Sequence, residues 1–235
     1  MNYGIILSGG IGSRMNLNGT PKQYVIVDGK PILIYTVEQF EKCEKIGRII
    51  IVAADEWIPQ IKEWLVQYHI TKFAGFAPAG ETRQRSIMNG LDAAKKFNPE
   101  DTAIAALHDA ARPLVSPKLI GDLVDGASEY GGCLPVLPLT DTVYQTLDGK
   151  VISQLLDRDT LFIGQTPEVF RLNEYHRINH SISLEELDTY RGAAQLAHQY
   201  GMKVHLIPGE YTNLKLTIPS DLQKFKAICE ERSGH

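Results

Sequence analysis

Three observations predict an α/β protein with a mostly parallel mixed sheet and helices on both faces. Apolar runs of strand length recur at Tyr3–Leu7, Ile46–Val52 and Thr102–Leu107, without the polar alternation of a half-exposed strand. Segments with apolar residues three and four apart separate these runs, so strands and helices take turns along the chain. The first run also opens directly into Gly9, Gly10 and Gly12, as where a buried strand meets a ligand loop.

Taken in order, Tyr24 to Val27 is a short stretch that ends in the turn signal Asp28-Gly29. Pro31 then suits a first helical turn, with Ile32, Ile34, Tyr35, Val37 and Phe40 on the helix that follows. After the strand Ile46–Val52, Trp57, Ile61, Trp64 and Leu65 recur at helical spacing, and the two tryptophans read as core packing. A strand near Lys72–Phe76 leads to the loop Gly80–Ser86, ahead of a helix bearing Ile87, Leu91 and Ala94. The run Thr102–Leu107 ends in His108-Asp109, and a carboxylate at the carboxyl end of a parallel strand lies where such sheets bind ligands. Ser116 as cap and Pro117 at the first position open the next helix, to about Tyr130, and Gly132–Pro138 is another strand. Asp148-Gly149 between two β-favouring runs predicts a hairpin arm at about 141–156, able to project and pair with a second chain. A helix from Leu172, two helical stretches between Leu184 and Tyr200, a strand at Lys203–Ile207, a loop with a last short strand at Gly209–Thr217 and a closing helix from Pro219 complete the chain.

The glycines at the first strand end bare backbone N–H groups and permit a close approach to phosphate, with Arg14 and Lys22 nearby as fixed positive charges. A tight turn between strand and helix is the other reading of this stretch. A Walker loop is excluded, because Gly12 is followed by Ser13-Arg14 rather than Lys-Ser or Lys-Thr. A dinucleotide fingerprint is excluded too: Met15 stands where its third glycine belongs, and the next strand meets an acidic residue only at Asp55.

With 235 residues the chain suits one domain. Lys+Arg of 24 against Asp+Glu of 28 gives a net charge of −4, which argues against a nucleic acid partner. No secretory signal and no membrane-length apolar run is evident, so a cytoplasmic protein is expected. Cys43, Cys133 and Cys229 are widely spaced, without a metal-ligand pattern, and read as reduced buried thiols.

Several short motifs occur in order: Leu7-Ser8-Gly9-Gly10-x-Gly12-x-Arg14-Met15, Pro21-Lys22-Gln23, Gly80-x-x-Arg83-x-x-Ser86, His108-Asp109-x-x-Arg112-Pro113, Gln165-Thr166-Pro167 and Asn213-x-Lys215-x-Thr217. On these the chain resembles the cytidylyltransferases of sugar-alcohol phosphates, over essentially its whole length. The resemblance implies a Rossmann-like nucleotidyltransferase fold and a β-arm that interlocks two subunits as a homodimer. It also implies transfer of CMP from CTP to a polyol phosphate with release of pyrophosphate. The nucleophile is then a phosphate dianion, so catalysis is positioning and charge stabilisation rather than base chemistry.

The resemblance assigns residues as follows. Arg14 and Lys22 match the pair that stabilises the α-phosphate, with Asp109 as a third catalytic residue and the ligand of Mg²⁺. Leu7, Ser8, Gly9, Gly10, Gly12, Gly80, Glu81 and Ser86 match the nucleotide site, and Arg83 braces its loop. Arg112, Thr142, Arg158, Thr166 and Lys215 match positions that hold the polyol phosphate, Thr142 and Arg158 being offered from the partner's arm. Arg85 reads as a solvated charge and His108 as a structural histidine.

Two acceptors compete. His108–Pro113 has the form of the 2-C-methyl-D-erythritol 4-phosphate enzyme, whereas Gly9-Gly10, Gly164–Pro167 and Gly209–Lys215 have the form of the D-ribitol 5-phosphate enzyme, which is favoured. Arg191-Gly192 stands where both have Thr-Asp, so a third acceptor or a non-catalytic nucleotide-binding homologue are other readings, and a pyrophosphorylase for another nucleotide and sugar phosphate is a separate one.

Overall fold

A computed structural model describes residues 1–10, 20–97 and 99–233. Strand β1 (Tyr3–Leu7) lies between β4 (Arg48–Ala53) and β6 (Ile104–Asp109), parallel to both, and β5 (Phe73–Pro78) extends the parallel sheet beyond β4. On the other side β11 (Glu168–Arg171) runs antiparallel between β6 and β7 (Gly132–Pro138). Strand β10 (Phe162–Gly164) continues along the same edge of β7, and β12 (Val204–Pro208) pairs in parallel with its opposite edge. The small hairpin of β2 (Ile26–Val27) and β3 (Lys30–Pro31) turns through Asp28 and Gly29, both at positive φ, as Asp-Gly foretells. The loop at 209–217 contains no strand, contrary to the sequence reading: β12 ends at Pro208.

The apolar runs are continuous because both sheet faces are covered. Ile6, Ile49, Ile51 and Ala106 face a cluster with α1 (Ile32–Lys42), α2 (Ile58–Gln67) and α4 (Pro117–Tyr130). Their neighbours Ile5, Ile50, Val52, Ala105 and Leu107 face α3 (Arg83–Lys95), α5 (Leu172–His180) and α7 (Ala193–Gln199). The short α6 (Leu184–Leu187) precedes α7, and the closing α8 (Pro219–Ser233) packs Phe225 and Cys229 against Val27 and Ile32. Cys43, Cys133 and Cys229 are buried and none is in a disulfide among the described residues. Among the described residues no helix is long and apolar enough to cross a membrane.

Helix α3 seats closely on β1 and β4 through Gly90, where a Cβ would lie 2.5 Å from Ile5 Cγ2 and 3.1 Å from Val52 Cγ2. Gly90→Ala should therefore lower stability by about 1 kcal/mol net, overpacking exceeding the gain in helix propensity. A lower urea midpoint with an unchanged slope is the expected result; a higher midpoint would refute the fit.

The arm forms as expected, β8 (Val143–Gln145) pairing with β9 (Gln154–Leu156), but its turn is longer than a two-residue Asp-Gly connection. Asp148 Oδ1 organises that loop by accepting from the N–H groups of Lys150 and Val151. Tyr144, Leu147, Val151, Ile152 and Leu155 along the arm are exposed.

Candidate active site

The parallel strands β1, β4 and β6 all end at one edge of the sheet, and two clefts open there. The first, about 390 Å³, lies between Gly9, Gly10 and Lys22 on one side and Gly80, Glu81 and Ser86 on the other. The second, about 340 Å³, is lined by Arg112, Gln165, Thr166, Arg191, Gly192 and Gln195 among others. Arg83, Asp109 and Lys215 line both, so they form a common wall.

Local sequence explains the first cleft. The segment Lys22–Tyr24 locks the glycine turn in place: Gln23 Nε2 donates to the Ser8 and Gly10 carbonyls, and Tyr24 OH donates to Ser8 O at 3.0 Å. The Tyr24 ring stacks on Trp57 at 4.3 Å between centroids, which confirms that this tryptophan packs. The Ser8 hydroxyl, read as nucleotide-binding, is buried and donates to Val52 O at 2.9 Å, so its side chain anchors the strand end. Across the cleft Thr82 caps α3 by accepting from Arg85 N, and Ser86 Oγ accepts from Gly80 N at 2.9 Å. Ser86 thereby shapes the loop. Gly12 and Arg14 lie outside the described residues.

The common wall is a chain of charges. Arg83 donates from Nε to Asp109 Oδ1 at 3.2 Å and from Nη2 to Glu168 Oε1 at 2.8 Å. Lys215 Nζ meets Asp109 Oδ2 at 2.6 Å, while Glu168 Oε2 accepts from Ala194 N at 2.6 Å. Burial alone would raise the pKa of Asp109, but Arg83, Lys215 and Arg112 overcome it and hold the carboxyl well below the usual range. Burial likewise opposes the charge on Arg83, and Asp109 with Glu168 outweighs it. Arg83 thus spans two carboxylates across the clefts, beyond the loop-bracing role read from the sequence. Glu168 was not read as a site residue; the one signal was an acidic residue at the head of the apolar run Val169-Phe170.

His108 behind Asp109 is a satisfied core histidine. Its Nε2–H donates to Arg112 O at 3.1 Å, and its Nδ1 accepts from the Thr166 hydroxyl at 3.0 Å. That hydroxyl in turn accepts from Asp109 N at 3.3 Å, which fixes the tautomer and makes Thr166 a spacer between His108 and Asp109. Burial pushes the His108 pKa down to about 4. The unfolded chain, with an ordinary imidazole, therefore binds a proton that the folded chain refuses between about pH 6.5 and pH 4. The stability present above pH 6.5 falls by about 3 kcal/mol across this window. His108→Gln should flatten that part of the urea-midpoint profile; an unchanged slope would show that another group carries it.

The second cleft depends on the loop 209–215. Gln165 Nε2 donates to Glu210 O at 2.9 Å and to Asn213 O at 3.3 Å, and its Oε1 accepts from Glu210 N at 3.2 Å. Asn213 Nδ2 donates to Thr166 O at 2.8 Å, and Arg112 Nη1 to Asn213 O at 2.6 Å. These bonds carry Lys215 to Asp109. Arg191 and Gly192, the departure noted in the sequence, line this cleft.

Within the chain Thr142 and Arg158 lie apart from Asp109, in a separate cleft with Leu155, Leu156, Asp157 and Asp159, and Arg158 Nη1 donates to Thr140 O. The reason is the arm itself, which holds both of them along its own edge. Arg85 is not a solvated charge: its guanidinium meets Asp188 at 2.7 Å and Glu81 at 2.7 Å, and Asp188 also accepts from Thr82 Oγ1.

A mostly parallel sheet with glycine, lysine and arginine at the carboxyl edge of its parallel strands has the layout of a Rossmann-like nucleotidyltransferase, and comparison with known proteins assigns the chain to that class. The family model described as 2-C-methyl-D-erythritol 4-phosphate cytidylyltransferase (IspD) matches residues 3–231. The chain belongs to this family of cytidylyltransferases. A ribitol-5-phosphate cytidylyltransferase of Streptococcus agalactiae serotype Ia is 32% identical over 100% of this chain and 98% of its own. A 2-C-methyl-D-erythritol 4-phosphate cytidylyltransferase of Clostridium acetobutylicum is 34% identical, over 99% of each. The crystal structure of 4-diphosphocytidyl-2C-methyl-D-erythritol synthase from Anaerococcus prevotii shares the fold, with a TM-score of 0.81 at 22% identity, covering 98% of this chain and 96% of that one.

Proposed function

We propose that this protein is a cytoplasmic CTP:polyol-phosphate cytidylyltransferase with D-ribitol 5-phosphate as acceptor, acting as one nucleotidyltransferase domain and as a homodimer. The observation that carries the reading is the common wall of Arg83, Asp109 and Lys215 between a glycine-lined cleft and a cationic one. The first cleft suits CTP: Gly9 and Gly10 approach the phosphates, Gly80 and Glu81 face the nucleoside, and Lys22 stabilises charge on the α-phosphate, roles in which the sequence resemblance also enlists Gly12 and Arg14. The second suits the acceptor, Arg112, Arg191 and Lys215 attracting its phosphate. An oxygen of that phosphate attacks the α-phosphorus, the bond to the β-phosphate oxygen breaks, and pyrophosphate leaves. No residue needs to remove a proton, in keeping with the buried neutral His108.

Asp109 keeps a lone pair on each oxygen after accepting from Arg83 and Lys215, so it could offer a ligand to a Mg²⁺ accompanying the triphosphate. When bound, the ion neutralises triphosphate charge.

The ribitol preference is supported by the wall chemistry. Nine of the thirteen residues lining the second cleft carry polar or charged side chains, which offers a hydroxylated acceptor several hydrogen-bond partners. The segments Gly164–Pro167 and Gly209–Lys215 are also one unit, joined through Gln165. The homodimer is supported by the exposed apolar arm, which carries Thr142 and Arg158 and could lend them to a partner's acceptor cleft.

Pyrophosphate release with CTP and Mg²⁺, offering D-ribitol 5-phosphate and 2-C-methyl-D-erythritol 4-phosphate in parallel, tests the proposal. Turnover of the ribitol compound with a kcat/KM at least about tenfold higher is expected. Preference for the methylerythritol compound would overturn the acceptor, and CTP binding with no turnover of either would overturn the activity.

A further inference from the structure

On the face of the sheet behind the clefts, α3 and α5 pack side by side and bring together three groups that the transfer reaction does not use. His176 and His180 are four residues apart on α5, one turn of the same helix face, and Asp92 faces them from α3. Both rings converge on one oxygen: His176 Nε2 lies 2.9 Å and His180 Nε2 2.7 Å from Asp92 Oδ1, with ring centroids 4.4 Å apart. One ligating atom from each of the three lies within 4.8 Å of the others.

We propose that Asp92, His176 and His180 form a binding site for a divalent transition-metal ion, Zn²⁺ being the best match. Three protein ligands at metal–ligand distances of about 2.0–2.2 Å, with a fourth position left to water, are an established zinc arrangement. Two imidazoles and one carboxylate favour such an ion over Mg²⁺ or Ca²⁺, which take oxygen ligands. The geometry asks for little. Ligands of a tetrahedral ion sit roughly 3.4 Å apart, so the groups need only separate by about 0.5 Å from their hydrogen-bonded positions. Each imidazole moves its proton from Nε2 to Nδ1, freeing the Nε2 lone pair without a change of charge. The side chain of His180 is 43% exposed and that of Asp92 42%, which gives an ion access and an open coordination position.

The ion would tie α5 to α3. Helix α3 begins at Arg83 and Ser86 in the clefts, and α5 directly follows the strand that carries Glu168, so the tie braces both elements from behind. Its role is structural and independent of the proposed transfer.

The test uses the full chain freed of metal by chelation and titrated with Zn²⁺, and with Co²⁺ as a coloured substitute, without nucleotide. One equivalent should bind, giving the visible absorption of four-coordinate cobalt and a raised melting temperature with Zn²⁺. His176→Ala, His180→Ala and Asp92→Asn should each weaken binding at least about tenfold and remove the thermal shift, while Asp109→Asn keeps both. Pyrophosphate release in Mg²⁺ should be unchanged in His180→Ala. Absence of bound metal at about a tenfold molar excess, or equal binding in all three variants, would overturn the site.

Discussion

Asp109→Asn should reduce kcat/KM for transfer by about 10³-fold, roughly 4 kcal/mol of transition-state stabilisation. The amide keeps the shape of the side chain but removes the one anion that Arg83 and Lys215 share, at 3.2 and 2.6 Å. Three effects combine. Lys215 loses the carboxylate that aims it and Arg83 is left with Glu168 alone, a carbonyl oxygen replaces the charged ligand proposed for Mg²⁺, and the positive charge of the wall is only partly compensated. Removing one partner of a buried pair typically costs about 3–5 kcal/mol of stability, so a fall of about 3 kcal/mol in the unfolding free energy should accompany the kinetic loss, the partial exposure of Arg83 placing it at the low end. Unfolding followed by circular dichroism at the assay temperature separates the two losses. A folded variant with wild-type kcat/KM at saturating Mg²⁺ would remove Asp109 from the mechanism.

Lys22→Ala should lower kcat by about 10²–10³-fold, equivalent to about 3–4 kcal/mol. Lys22 lies on the wall of the first cleft beside Gly9 and Gly10, where a triphosphate would run, and not on the wall shared with the second. The loss should therefore appear with CTP whatever the acceptor, leaving the KM of the polyol phosphate nearly as it was. Lys22→Arg restores charge but not the compact ammonium, and only partial recovery is expected. Steady-state kinetics with each substrate varied in turn makes the comparison. Equal loss in both KM values with kcat intact would mean that Lys22 binds the ground state and does not act on the transition state.

The sequence carried the strand and helix order well, because a sheet covered on both faces demands uninterrupted apolar runs, as in Ile49-Ile50-Ile51. The Ser116-Pro117 helix start and the Asp28-Gly29 turn were legible because their chemistry is local. The strand expected within 209–217 was not there. Its residues alternate acceptably, but the Glu210 backbone pairs with the Gln165 side chain, an interaction between residues 45 apart. Distance in sequence also hid the second partner of Arg83, since Glu168 is 85 residues away. The same holds for Arg85 and Asp188, 103 residues apart, whose fork turned an apparently solvated charge into a tether between α3 and the end of α6. Residue types in the clefts were thus readable from motif spacing, whereas the bonds that aim them were not.

A floor shared by two clefts also limits how such an enzyme can diverge. Arg83, Asp109 and Lys215 face both clefts, so exchanging any of them to reshape the proposed acceptor cleft would disturb the other cleft by the same stroke. Arg191, Gly192 and Gln195 line only the second cleft and are free of that constraint. Inherited variation in what the protein accepts should accordingly collect at this rim, where the cost of experiment to the lineage is lowest, while the floor stays fixed across enzymes of different pathways.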